Sequence, residues 1–514
     1  METEREYLEA RAFGSLHTES AGDYLLPDYN TDVRRVLLTK ATANDTGCFV
    51  NGDALDVTGA VHYEIVYIDS EGELTSCHFS TDFDTSVKCT EDSVGCEAHT
   101  RVCGYSVRLV GPRRFSVKAQ LATDYNVTQK AKMTVEGSTF TIGEPETRTE
   151  NASVAFRSYA MPTEKSYSES FCDMEGVIAD DVVLLFSEVN PELFASLGDG
   201  VIEVSGTLHV CCLVKVGDEV PRAVSADIAV NEELAFEGAS GAVGCSAQAR
   251  VNALCINTVP NDEGVSLVAD FAVEYSASAV LCSELPITLD CYLTDREVEN
   301  TYGKFDYNEY LGAAKINESL TLTPTFSEVG AEALREILLT DAYIRVDDVI
   351  PSDNCAKMNG IIRFSGVACQ INEDGELSYT GIKHDAPFTI NVNYTCHLPA
   401  ETRFVFNGGV TSVCALTTAE GVELNARIFG TLDAVGQRQI TRLLTSSADG
   451  EPIEKACSVI SVYYPAEGET LFDVGRKFHA RPIDIAADNS LTEEVFSSEA
   501  SDLGTLGVKR LVIR

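Results

Sequence analysis

The sequence predicts a mostly β protein: about three repeated β-rich domains followed by a small β-α-α-β module. Two observations carry that expectation. First, one strand pattern recurs around a glycine at domain-sized spacing. It reads Leu55, Val57, Gly59, Val61, Tyr63, Ile65, then Ile202, Val204, Gly206, Leu208, Val210, then Ile362, Phe364, Gly366, Ala368. Alternation with period two places one strand face on a core and the other on water. A glycine held at the centre of such a strand marks a bulge or a close backbone approach. Second, the character of the chain changes after Ser458, where helical spacing replaces alternation.

The flanks of the three strands support the repeat. Val36-Leu-Leu-Thr-Lys-Ala41 precedes the first copy and Ile337-Leu-Leu-Thr-Asp-Ala342 the third, with a weaker Val183-Leu-Leu-Phe-Ser-Glu188 before the second. Asp69-Ser-Glu-Gly72 and Asn372-Glu-Asp-Gly375 read as hairpin turns. The units are expected at roughly 24–155, 165–310 and 325–447, with the last module at 458–514. Turn-rich stretches near Gly143-Glu-Pro-Glu146 and Gly303-Lys-Phe-Asp306 serve as connectors. Helix is expected in only two places ahead of the last module, Glu2 to Phe13 and Ser327 to Leu338.

In the C-terminal module, Val459 to Tyr463 reads as a strand and Pro465-Ala-Glu-Gly468 as a turn. Leu471, Val474 and Phe478 give the next segment one apolar helical face. Pro482 suits the first turn of a second helix, and Asn489 ends it as a residue tolerant of left-handed geometry. Arg510-Leu-Val-Ile513 supplies a closing strand.

Composition bounds the function. The 514 residues hold 80 acids against 38 bases, a formal net charge of −42. Such a field repels nucleic acid and anionic lipid. The acidic N-terminus has no apolar leader, and no run is long enough for a membrane helix, so a cytoplasmic protein without membrane insertion is expected. The 17 Cys include no CxxC pair and stand singly in strand-like runs, as at Cys211, Cys282, Cys369 and Cys414. They are expected to be reduced thiols. The regular spacing of Cys89, Cys96 and Cys103 invites a metal, but small buried side chains are the favoured reading. No phosphate-binding loop, GxSxG, HExxH or dinucleotide fingerprint occurs. No enzyme, catalytic residue, metal or cofactor is therefore expected.

Two stretches carry family resemblances. Gly468-Glu-Thr-Leu471, with Phe472, Val474, Phe478 and Asn489, resembles the LysM signature. Glu469 stands where Asp is commoner, and Gly475 where Ala is usual. Tyr24-Leu-Leu-Pro-Asp-Tyr-Asn-Thr-Asp-Val-Arg-Arg-Val36, followed by Val57-Thr-Gly59 and Tyr63-Glu-Ile-Val-Tyr67, resembles the SPOCS domain of Firmicute spore-coat proteins. SPOCS units joined to a C-terminal LysM are similar to the coat morphogenetic proteins of clostridial sporulation, the SipL type. That resemblance implies a scaffold acting in the mother cell at the forespore surface. Its LysM would engage a coat-basement ATPase or other coat proteins, with self-association as a further option. A cell-wall protein binding peptidoglycan or N-acetylglucosamine through the LysM is the alternative. The implied ligand groove comprises Gly468, Glu469, Thr470, Leu471, Phe472, Asn489 and Val495, and Gly59, Gly206 and Gly366 are the structural glycines of the repeat. The absence of Trp, a common sugar-stacking residue, and the acids at 492–499 favour a protein ligand.

Overall fold

The computed structural model describes residues 3–89, 92–135, 144–371, 375–448, 451–453, 460–491, 502–504 and 507–514. The chain is mostly β. Its first sheets use β1 (Thr3–Leu25), β2 (Val33–Asn51), β3 (Ala54–Asp69), β4 (Leu74–Lys88), β5 (Ser93–Gly111) and β6 (Arg114–Val135). They form two antiparallel sheets, β2-β3-β4 and β1-β6-β5. Inward residues of β3 (Val61, Tyr63, Ile65, Tyr67) and of β6 (Phe115, Val117, Ala119, Leu121) share one core. This is the alternation expected of sheets that each bury one face.

The same strand order recurs twice more. β7 (Glu146–Tyr159), β8 (Thr163–Glu175), β9 (Val182–Leu197), β10 (Val201–Val216), β11 (Arg222–Ala235), β12 (Gly244–Pro260) and β13 (Gly264–Tyr292) give β9-β10-β11 and β12-β13-β7, with β8 also on β13. β14 (Glu299–Leu322), β15 (Glu336–Ser352), β16 (Cys355–Ile371), β17 (Leu377–Asn393), β18 (Arg403–Thr417) and β19 (Val422–Ser447) give β15-β16-β17 and β14-β19-β18. β7 plus β8 thus stand where β1 and β14 stand. The chain ends in β20 (Ser461–Tyr463), α1 (Leu471–Phe478), α2 (Pro482–Asp488) and β21 (Leu511–Ile513), with β20 paired to β21.

Several expectations change. Glu2 to Phe13 is not helical from Thr3 on; it runs in β1, and the β6 backbone pairs with it on both sides of a bulge between Ala10 and Ala12. Local preference yields to the ladder. Ser327 to Leu338 is a series of turns leading into β15. Gly330 sits at φ +80° while Val329, Ala331 and Leu334 plug the third core. Gly303 to Asp306 is no connector: it lies within β14, paired to β19, and Phe305 is buried. A boundary at 24 removes most of β1, one at 155 cuts β7, and one at 310 cuts β14. Gly143, residues 372–374 and Val459 lie outside the described residues.

Register also corrects the glycine alignment. The first hairpins have one bulge in common: β2 slips between Val36 and Leu38, β9 between Leu184 and Phe186, and β15 between Ile337 and Leu339. Leu38, Phe186 and Leu339 are therefore equivalent. The seventh residue beyond each is Asp45, Leu193 or Val346, and these face Gly59, Gly206 and Gly360. Gly366 faces Thr340 instead. The environments agree: a Cβ on Gly59 would strike the Asn44 carbonyl and the Phe83 ring, and one on Gly360 the Arg345 carbonyl and the Phe388 ring. Gly206 lies against the Glu192 carbonyl.

The three groups are joined by two shared cores. In one, Leu37 and Leu38 meet Leu185 and Phe186, and Leu338 and Leu339, with Val66, Leu213 and Val367 from the central strands. Those positions break the alternation of β3, β10 and β16 into continuous buried runs, as strands covered on both faces require. Two residues further on, Lys40 forms ion pairs with Glu188 and, at 3.1 Å, with Asp341. In the other core, Met133, Ala152, Val154, Leu285, Ile287, Phe305 and Tyr307 bring together the outer ends of β6, β7, β13 and β14. The partly buried Arg157 bonds Asp433 at 2.5 Å and the hydroxyls of Ser246 and Ser278.

Candidate binding site at the C-terminal module

β20, α1, α2 and β21 enclose a small core of Leu471, Val474, Ile485, Ala486, Leu503, Leu511 and Ile513. The loop before α1 is built by its own side chains. Gly468 takes φ +87°, which favours glycine. The Glu469 carboxylate accepts the Tyr463 hydroxyl and the Ala466 N–H, each at 2.8 Å. Thr470 is the N-cap of α1, its hydroxyl accepting from Asp473 N–H at 3.3 Å while Asp473 returns a bond to Thr470 N–H. This reciprocal capping satisfies two otherwise free helix donors.

The residues expected to line a groove are thus mostly engaged inside the protein. Thr470 and Leu471 are buried. Phe472 is buried edge-on against Tyr292 of β13, with ring centres 5.1 Å apart. Asn489 donates to the Ile485 and Val512 carbonyls and accepts the Val512 N–H at 2.6 Å, tying α2 to β21. Its backbone, at φ −104°, is not left-handed; Ser490, at φ +51°, takes that conformation. Val495 and the acidic wall at 492–499 lie outside the described residues.

The module rests on the end of the second sheet group. The buried Tyr292 hydroxyl donates to the Ala480 carbonyl at 2.8 Å and occupies the space that a Cβ on Gly475 would need. That is the physical reason for glycine at this position. Arg476 pairs with Asp290, Arg481 with Glu146 at 2.9 Å, and Arg148 with Asp473 at 3.6 Å. Such half-exposed pairs add little stability and mainly orient the contact. The aromatic pair and the buried hydroxyl fix it. A cleft of about 380 Å³ opens at this junction, lined by Arg296, Glu297, Asp473, Arg476, Lys477 and His479 among others.

Beside its exposed charged residues, the module presents an apolar row. Ile460, Val462 and Tyr464 alternate through β20 and the residues that flank it and are 67%, 55% and 68% exposed, and Ile483 of α2 is 52% exposed. Sequence reasoning passed over them because Val462 and Ile460 read as ordinary strand residues.

No family model matches the chain, and no curated protein or solved structure matches it.

Elsewhere, the cysteine series divides. Cys89 and Cys96 pack on one small cluster with Cys48, whereas Cys103 lies beside the Arg101 guanidinium. No His, Cys, Asp and Glu group among the described residues is arranged to hold a metal ion. No helix among them is long and apolar enough to cross a membrane. His209, expected on a polar strand face, bridges Asp227 at 2.7 Å and Glu192 at 3.2 Å.

Proposed function

We propose that the chain is a non-enzymatic scaffold for spore-coat assembly. In this reading, three SPOCS-like units form the body and a LysM-type module docks it to the coat-basement ATPase in the mother cell. The observation that carries the docking role is the exposed apolar row Ile460, Val462 and Tyr464 on the smallest part of a strongly acidic protein. A contiguous exposed apolar strip on a soluble surface marks an interaction site. Among the described residues β20 pairs with β21 alone, which leaves it an edge of the kind that accepts an added strand. The body's acidity suits a basic partner surface.

Val462→Asp and Tyr464→Asp test the reading, since neither residue belongs to the module's buried core. Full-length protein is expected to bind the purified coat-basement ATPase, and the double variant to lose about tenfold or more in affinity with an unchanged melting profile. A fluorescent fusion should encircle the forespore only during sporulation. Tight sedimentation with purified peptidoglycan, abolished by the same substitutions, would return the function to the cell wall.

A further inference from the structure

β2 and β5 belong to different sheets, and their side chains close the seam between those sheets. Three contacts run along it in antiparallel order. The Tyr105 hydroxyl donates to the Thr39 carbonyl at 2.5 Å, the Thr100 N–H to the Asp45 carboxylate at 2.7 Å, and the Cys48 thiol to the Cys96 sulfur at 3.8 Å. The two cysteines are therefore held opposite one another by the same alignment that sets the neighbouring hydrogen bonds. Both are half-buried rather than enclosed. Cys77, on the adjacent β4, is buried in the core.

We propose that Cys48 and Cys96 are a redox-active pair that closes to a disulfide in exchange with a small-molecule disulfide, fastening the two sheets of the first unit together. In the first step Cys96 sulfur attacks one sulfur of the small disulfide. That S–S bond breaks, and the departing thiolate takes up the proton Cys96 has lost. In the second step Cys48 attacks Cys96 sulfur in the mixed disulfide, forming the Cys48–Cys96 bond and expelling the second small thiol with the Cys48 proton. Two protein thiols are oxidised and one small disulfide is reduced to two thiols. The order of attack follows from the hydrogen bond: the Cys48 S–H stabilises negative charge on Cys96 and draws its thiol down to about 7, while Cys48 itself is pushed up. A thiol ionised near neutral pH is the better attacker. Bond formation needs the sulfurs to close from 3.8 Å to about 2 Å. β2 and β5 are free to do this because side chains rather than a ladder join them.

The test uses full-length protein incubated with oxidised glutathione, alkylated and digested with trypsin plus a glutamyl endopeptidase. That pair of enzymes separates Cys48 from Cys77 and Cys96 from Cys89. A Cys48–Cys96 linked peptide is expected, forming about tenfold faster than glutathione adducts at Cys77. Cys48→Ser should leave Cys96 carrying glutathione, and Cys96→Ser should leave Cys48 a free thiol. Linkage of Cys96 to Cys89, or equal reaction at Cys96 and Cys77, would overturn the proposal.

Discussion

Lys40 sits among three carboxylates at the point where the three sheet groups meet. Two of them, Glu188 and Asp341, hold it directly. The third, Glu64, faces Lys40 across the β2–β3 ladder, and one of its oxygens is buried without a partner. Burial raises the Glu64 carboxyl from 4.5 to about 7; Lys40 opposes that shift and Asp341 adds to it. The native state therefore binds this proton more tightly than the unfolded chain does. Stability from this group is greatest below pH 4.5 and declines as pH rises to about 7, by about 3 kcal/mol. Glu64→Gln is expected to flatten that part of the stability–pH curve and to raise the melting midpoint at pH 8. Denaturant titrations at half-unit pH intervals give the answer, and an unchanged slope would show that Glu64 titrates normally. Lys40→Met should do the reverse of the glutamine variant, leaving the buried Asp341 and the partly buried Glu188 without their cation, at about 3–5 kcal/mol.

At the scale of the element, strands were easier to foresee than their registers. Alternating residues such as Val57, Val61 and Tyr63 announce a strand directly. β1 was hidden because its acids and arginines have good helix propensity and its partner, β6, lies about 100 residues away. The six-residue slip between Gly360 and Gly366 has a similar origin. Both glycines lie in β16 among buried residues, so hydrophobic pattern alone suits either; the bulge that distinguishes them exists only in the paired hairpin. The residues of a small module that look most distinctive, Thr470, Phe472 and Asn489, are also those its own fold engages. Gly59→Val, Gly206→Val and Gly360→Val are each expected to cost about 1–3 kcal/mol, through overpacking and strain against a neighbouring strand. Gly72→Val, at a turn with open space around it, controls for the strain of a positive φ alone. Thermal melts that leave all three strand variants at the native midpoint would refute the register. On the module, Tyr292→Phe removes the hydroxyl that meets Ala480 while keeping the ring against Phe472. It should loosen the docking contact, seen as faster amide exchange in α1, without unfolding β13.

For the whole molecule, the question is whether three sheet groups are separate beads or one body. The sequence displayed Val36-Leu-Leu38, Ile337-Leu-Leu339 and the weaker Val183-Leu-Leu-Phe186 as repeat markers, but not that Leu37 and Leu38, Leu185 and Phe186, and Leu338 and Leu339 meet. Continuous apolar runs such as Val210-Cys-Cys-Leu-Val214 were the available signal, since a strand with no polar face is covered on both sides. Burying each leucine of this shared core is worth about 1.5–3 kcal/mol, and the second core, around Phe305 and Tyr307, adds a separate contact. Two separate cores shared among the groups oppose independent motion. Cutting the chain between β6 and β7 therefore should not separate its parts. Residues 1–140 and 141–514, expressed together, are expected to co-purify as a stable pair. Leu38→Asp in the smaller part places a charge against Leu185 and Leu339 and should abolish that pairing. Circular dichroism of the variant fragment should still report β structure, because Leu38 faces away from the fragment's own core. Fragments that elute separately without any substitution would mean that the groups fold as independent beads, and the shared cores would then have no part in holding the scaffold together.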